Sequence, residues 1–311
     1  MSELTLHTAI GTYGHTKSLK DGSATSQKFV MDHIEISPVP NIFRRMVREL
    51  EFDVAEMALS TYLCAKAFGK AFTAIPVFLT RSFYHNNIIY NIRSGINSPT
   101  DLAGRKVGVR SYTLTPGVWT RGILQSVYGL DLDSVTWVIS GDEHVEEYVA
   151  PPNVVYVQGG DLSNMLLSGE IDAAIGAGPL DSPDVQPLFS DADQADAEWF
   201  NSTGVYPISH MLVVKNDQLG ANPWLAEELF RLFHAAKQPY LDFLSAGESL
   251  SPADETISAM ARIVGGDPLP YGFEAARKTM ETFVEFNVDQ KVIPQHVDIE
   301  TLFAPTTLEL S

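Results

Sequence analysis

The chain has 311 residues, 45% of them hydrophobic and 10% aromatic, which is enough apolar material for two ordinary cores and too much for a chain disordered throughout. A formal net charge of −18 excludes ordinary nucleic-acid binding, because no basic stripe is available for phosphates. The one cysteine, Cys64, excludes an intrachain disulfide and a cysteine-based zinc site, and no apolar run approaches the roughly 18 residues that span a bilayer.

The opening Met-Ser-Glu-Leu-Thr-Leu has neither the basic nor the apolar region of a secretory signal, so the expected setting is cytoplasmic, with no membrane partner. The first strand is expected at Leu4 to Ile10, followed by a polar turn from Gly11 to His15. Ile42, Phe43, Met46, Val47 and Leu50 share one helical face, with Arg44, Arg45 and Arg48 outside it. Strands are expected at Phe52 to Met57, Ala74 to Phe78 and Asn87 to Ile92. Asp101 to Arg110 reads as a short helix, a turn and a strand, and Thr115 as the N-cap of a helix with Pro116 in its first turn.

Glu51-Phe-Asp-Val-Ala55 recurs as Glu170-Ile-Asp-Ala-Ala174, each time behind an amphipathic helix and before a small-residue loop, Ala58 to Thr61 or Gly176 to Pro179. The repeat implies two similar α/β lobes. The Ser190 to Glu198 run reads as a solvated loop or helix face. Tyr206 to Val214 is a strand placed to cross back to the first lobe, and helices follow over Trp224 to Phe243, from Ser251-Pro252 to Gly265, and over Gly272 to Phe286. Residues 1–93 with 207–311 should form one lobe and residues 94–206 the other, each with a mainly parallel sheet. A ligand would bind between them, at the carboxyl ends of the strands.

No dinucleotide fingerprint, P-loop, zinc-peptidase motif or nucleophile elbow is present. What remains is polar residues at strand ends. Tyr13 and His15 follow the first strand, Ser60 and Thr61 the strand ending near Met57, and Arg81 and His85 the Ala74 to Phe78 strand. Arg110, Ser111, Tyr112, Thr113 and Thr115 lead into a helix start, where free N–H groups and the helix dipole favour an anion. Arg121 lies further along that helix, and His210 sits in the crossing-back strand. Each also has a plain structural reading: Ser60, Thr61 and Thr115 as caps, Arg81 and Arg121 as ion pairs, Tyr13 and Tyr112 as packing, His85 and His210 as satisfied buried histidines. No metal-ligand set stands out among them.

Several of these segments carry a resemblance. Glu56-Met-Ala-Leu-Ser-Thr-Tyr62, Ile75-Pro-Val-Phe78 with Arg81 and His85, Asp101-Leu-Ala-Gly-Arg-Lys-Val-Gly-Val109, Val118-Trp-Thr-Arg-Gly-Ile-Leu124, Thr203-Gly-Val-Tyr-Pro-Ile-Ser-His210, Pro270-Tyr-Gly-Phe-Glu-Ala275 and Leu302-Phe-Ala-Pro305 together resemble the 4,5-dihydroxyphthalate decarboxylase family, in order and over nearly the whole chain. The resemblance implies a type II periplasmic-binding-protein-like fold and non-oxidative decarboxylation of a small anionic aromatic substrate, with no cofactor. Tyr13, Ser60, Arg81, His85, Tyr112, Thr115, Arg121 and His210 match the family pattern. His15 and Tyr84 stand where relatives carry arginine, the Gly176 to Pro179 loop lacks a basic residue, and Gly141 to Tyr148 is acidic where a basic segment is common.

Such a reaction needs a proton donor at the ring, a partner for the para oxygen and donors for the retained carboxylate. His85 is expected as the acid, with His210 as the alternative; Arg81 or Arg121 with the Tyr112 to Thr115 helix start is expected to hold the carboxylate. A solute-binding protein for a small anion, or a cytoplasmic biosynthetic lyase on the same fold, would use the same cleft. Oligomerisation, in particular a homo-oligomer, stays open.

Overall fold

Two apolar segments, Val54–Ala58 (β3) and Phe72–Arg81 (β4), are buried along almost their whole length, as strands covered on both faces must be. The structure, a computed structural model, describes residues 4–157, 159–247 and 249–311. With Leu4–Ala9 (β1), Phe29–His33 (β2) and Ile208–Lys215 (β11), these strands form a five-stranded sheet ordered β2-β1-β3-β11-β4. β1, β2 and β3 run parallel, and β11 runs antiparallel to both its neighbours. Ile88–Asn91 (β5), Lys106–Val109 (β6), Thr136–Ile139 (β7), Val154–Tyr156 (β8), Ala173–Ile175 (β9) and Val185–Pro187 (β10) form a second sheet, ordered β10-β5-β9-β6-β7-β8.

In chain order the helices are Lys17–Lys20 (α1), Pro40–Glu49 (α2), Leu59–Ala67 (α3), Thr115–Ser126 (α4), Leu162–Ser168 (α5), Ala192–Thr203 (α6), Asn216–Ala221 (α7), Leu225–Ala246 (α8), Pro252–Val264 (α9) and Phe273–Asp289 (α10). The apolar face read from Ile42, Phe43, Met46 and Val47 is the buried face of α2. None of the described helices is long and apolar enough to cross a membrane.

The five-residue repeat has a structural counterpart. Asp53 donates its N–H to His7 O and accepts the His7 N–H on its side chain at 2.9 Å. Asp172 does the same with Lys106, its N–H reaching Lys106 O and its carboxylate accepting Lys106 N–H at 2.9 Å. In each sheet, therefore, one aspartate closes the ladder between a parallel strand and its neighbour.

Two readings of the sequence need correction. The strand expected at Asn87 to Ile92 belongs to the second sheet, so the chain crosses between Arg81 and Ile88 rather than near residue 93. A short apolar strand carries no mark of which sheet it joins. The Ser190 to Glu198 run is largely a helix face, in α6, as one of its two readings has it, but Asp196 within it is buried rather than solvated, because it pairs with His85.

Helix α4 follows the second sheet's β6, yet it packs on α10 from the C-terminal region. Trp119 stacks on Phe283 with ring centroids 4.4 Å apart and donates its indole N–H to Ile208 O at 2.9 Å. The approach depends on Gly122, where a Cβ would lie 2.0 Å from the Phe286 ring. Alanine is the better helix former by about 1 kcal/mol. Overpacking here should outweigh that gain, so Gly122→Ala is expected to lose about 1–3 kcal/mol of stability, measured by urea denaturation. A variant as stable as the parent would show that α4 and α10 can separate freely.

Candidate active site

Glu56 lies in the middle of β3, 0% exposed, in a strand whose five residues are all buried. A carboxylate placed there must find hydrogen-bond donors. It has three. Gly11 N–H reaches Oε2 at 2.6 Å, and the Tyr13 hydroxyl and His210 Nδ1 each reach Oε1 at 2.6 Å. The sheet dictates the last contact: β11 sets His210 opposite Ala58 and Leu212 opposite Glu56, so Glu56 and His210 are diagonal neighbours on one face. Register shifts on both sides of His210 in the β11–β4 ladder are the irregularities that re-aim a side chain. The Gly11 turn admits no larger residue, since a Cβ would lie 2.5 Å from the Tyr13 ring.

Burial alone would raise the Glu56 pKa, but the His210, Tyr13 and Gly11 hydrogen bonds outweigh it and hold the carboxyl below its ordinary range. Glu56 is therefore the acceptor, and His210 Nδ1 carries the hydrogen they share. Burial and the neighbouring Glu56 charge raise the Tyr13 pKa, keeping it a phenol donor. Glu56 itself is 0% exposed, whereas the His210 side chain is 21% exposed. Its Nε2 makes no hydrogen bond with the described residues. Phe43 packs edge-on against the imidazole, centroids 4.9 Å apart.

The remaining sequence candidates divide. His15 is buried between Tyr13 and Tyr240, with neither ring nitrogen hydrogen-bonded among the described residues. Burial pushes its pKa down to about 4 against the opposing pull of Glu56. His85 is not beside His210. Its Nδ1 pairs with buried Asp196 at 2.5 Å in a niche of Tyr128, Phe189 and Trp199, and its buried Nε2 has no hydrogen-bond partner among the described residues. Arg81 donates to Tyr206 O and Pro270 O, and Arg121 to Tyr112 O and Gln290 Oε1. Both guanidinium groups are buried and lie against aromatic rings, and each keeps one nitrogen, Nε of Arg81 and a terminal nitrogen of Arg121, without a hydrogen-bond partner among the described residues. Arg110 is exposed.

Ser60, Thr61 and Thr115 do not cap their own helices. Thr115 Oγ1 instead accepts the Ser60 N–H at 2.9 Å, joining the start of α3 to the start of α4. Ser60 Oγ donates to Asn287 on α10 at 2.9 Å, and Thr61 Oγ1 shares a 3.1 Å hydrogen bond with His144. Burial, reinforced by Arg44 and Arg110, pushes the His144 pKa down to about 4. Tyr112 and Thr113 meet a carboxylate from within the chain: Tyr112 N–H reaches Glu143 Oε1 at 2.7 Å, and Thr113 N–H and Oγ1 reach Oε2 at 3.1 and 2.6 Å.

Sequence reasoning missed Glu56 and Glu143 as site residues. A charged residue inside an apolar strand was the available signal for the first. For the second it was the acidic run of Asp142, Glu143, Glu146 and Glu147 shortly after a strand.

Two separate sheets, with the chain passing from β4 to β5 and returning from β10 to β11, define a two-sheet α/β protein of the type II periplasmic-binding-protein architecture. The Escherichia coli periplasmic aliphatic sulphonate binding protein SsuA shares that fold, with a TM-score of 0.55 at 15% identity over 98% of each chain. No family model matches the sequence. The 4,5-dihydroxyphthalate decarboxylase of Comamonas testosteroni is 32% identical over 99% of this chain and 99% of its own; the enzyme of that name from Pseudomonas putida is 35% identical over 65% of this chain and 83% of its own. The chain belongs to the 4,5-dihydroxyphthalate decarboxylase family.

Because the folded-state pKa of Glu56 is depressed, its contribution to stability is present above the unfolded carboxyl value, about 4.3, and is lost as pH falls through the folded value. Glu56→Gln would turn an acceptor of three hydrogen bonds into a group that also donates, costing about 1–3 kcal/mol at pH 7. Urea titrations should show the gap from the parent narrowing from pH 7 to pH 3. A pH-independent gap would mean that Glu56 is not ionised in the fold.

Proposed function

We propose that the chain is a carboxy-lyase that takes one carboxylate from 4,5-dihydroxyphthalate, giving protocatechuate and carbon dioxide, or acts likewise on a close analogue, with His210 delivering the ring proton. Family membership supports the reaction class, and the observation that carries the residue assignment is the hydrogen bond between buried Glu56 of β3 and His210 of β11.

In 4,5-dihydroxyphthalate each carboxylate is para to a hydroxyl. The para oxygen pushes electron density to the carbon that bears the carboxylate. His210 Nε2 gives that carbon a proton; the carbon–carbon bond then breaks, its electron pair restores the aromatic ring, and carbon dioxide departs. Histidine suits the role because its ordinary pKa lies near neutrality, while ionised Glu56 on Nδ1 orients the ring and stabilises the imidazolium before transfer, as the carboxylate of a catalytic triad does. Solvent reprotonates His210, and no redox cofactor is required. The two sheets act as two lobes, one built on residues to about 81 with 208 onward, the other on residues 88 to 207, and closure excludes water from the proton transfer. A cytoplasmic setting suits a catabolic lyase whose sole cysteine, Cys64, is buried and free.

A solute-binding protein would need the cleft but no acid, and mutagenesis separates the two readings. With 4,5-dihydroxyphthalate as substrate and carbon dioxide release as the readout, His210→Asn should lower turnover by roughly 10²–10⁴-fold, the range typical of general acids, while substrate affinity persists. His85→Asn, if folded, should stay within about tenfold of the parent. Turnover by His210→Asn within that same tenfold would end the assignment, and parent protein that binds the substrate without releasing carbon dioxide would end the lyase reading.

A further inference from the structure

Four donors between β6 and α4 converge on one carboxylate. Ser111 Oγ–H lies 2.6 Å from Glu143 Oε2, Tyr112 N–H 2.7 Å from Oε1, and Thr113 N–H and Oγ–H 3.1 and 2.6 Å from Oε2. The Tyr156 hydroxyl approaches Oε1 at 3.4 Å. Ser111, Tyr112 and Thr113 are all at most 5% exposed. These groups form a receptor for a planar two-oxygen anion, with both oxygens engaged and charge-assisted hydrogen bonds throughout.

Positive charge stands behind it. The N-terminus of α4, a helix of 12 residues, begins two positions beyond Thr113, and Arg121 donates to Tyr112 O with its guanidinium carbon 4.1 Å from the Tyr112 ring centroid. Arg121 is fully buried, has no acidic partner among the described residues, and its second terminal nitrogen has no hydrogen-bond partner there. A buried cation of this kind favours an anion close by. Glu143 also lines a cavity of about 680 Å³, together with Arg48, Ser140, Tyr148 and Tyr156, large enough for a single-ring dicarboxylate.

The cradle is joined to the proposed acid. Thr115 Oγ1 accepts the Ser60 N–H, and Ser60 lies two residues past Ala58, the β3 partner of His210. Phe43 packs against both His210 and His144, the residue after Glu143.

We propose that the Ser111–Thr113 cradle is the subsite for the carboxylate that the product keeps, and that Glu143 is a built-in competitor which the substrate displaces toward the cavity and Arg48. The identity of the ligand rests on the decarboxylase reading; the exchange of one carboxylate for another does not. The device selects for charge: only an anion that replaces every bond to Glu143 takes the cradle, so a neutral catechol gains nothing there.

Calorimetric titration of the full chain with phthalate, which lacks the hydroxyls needed for decarboxylation, tests the exchange without turnover. Glu143→Ala should bind phthalate at least tenfold more tightly than the parent, and Glu143→Gln severalfold more tightly, while catechol binding stays unchanged. Acetate should raise the Tm of Glu143→Ala saturably, compete with phthalate in that variant and leave the parent unaffected. Folded variants with parental or weaker phthalate affinity, or with no acetate competition, overturn the proposal. So does a failure of Glu143→Gln to fold, since Glu143 would then be a loop staple that cannot leave. His210→Asn should preserve the binding pattern, so loss of the lyase reading and loss of the exchange are told apart.

Discussion

A carboxylate with no access to water governs this site. Glu56 sits in a fully buried strand, and its stability there depends on three donors from two places: Gly11 N–H and the Tyr13 hydroxyl in the turn after β1, and His210 near the start of β11. That requirement fixes the Gly11 to Tyr13 turn against the sheet and holds the His210 ring in one orientation. It also couples residues 154 positions apart, so the returning strand must arrive in the correct register. The register shifts beside His210 show the sheet yielding locally to meet the demand. Without the carboxylate, His210 would be an ordinary half-buried histidine.

The proposed recognition of an anion by a chain this acidic follows from the same logic of local donors. The overall field repels a dicarboxylate. The two best-buried arginines of the candidate set are committed to backbone carbonyls and aromatic rings. What faces a carboxylate is neutral: two hydroxyls and two backbone N–H groups at a helix start. Donors of this kind are pre-organised by the turn that carries them, and they carry no net charge for a buried site to desolvate. The chain lends them one of its own carboxylates.

The architecture shared with a sulphonate-binding protein supplies strand ends and helix starts that face one another. In this chain a hydrogen-bonded polar cluster is added by very few residues: a glutamate in β3, a histidine on the crossing strand and a tyrosine in the first turn. The contact between the starts of α3 and α4, through Ser60 N–H and Thr115 Oγ1, joins the helix that follows β3 of the first sheet to the helix that follows β6 of the second.

Local pattern was sufficient for much of this. The apolar face of α2, the buried strands β3 and β4, the helix at Thr115 and the three C-terminal helices were legible because their periodicity reflects contacts each element makes with its own core. The five-residue repeat was legible too, and its aspartates make equivalent bonds in both sheets. Segment-by-segment resemblance indicated the family. Tertiary structure alone decided which histidine has a partly exposed ring beside an ionised carboxylate and which is enclosed with Asp196, because both are single histidines near strand ends and their partners lie 154 and 111 residues away. It alone assigned β5 to the second sheet, turned Arg81 and Arg121 inward, and set Glu143 against the helix start. Each of those outcomes depends on which polar groups meet in the folded chain, and a buried charge is satisfied by neighbours in space that no local spacing records.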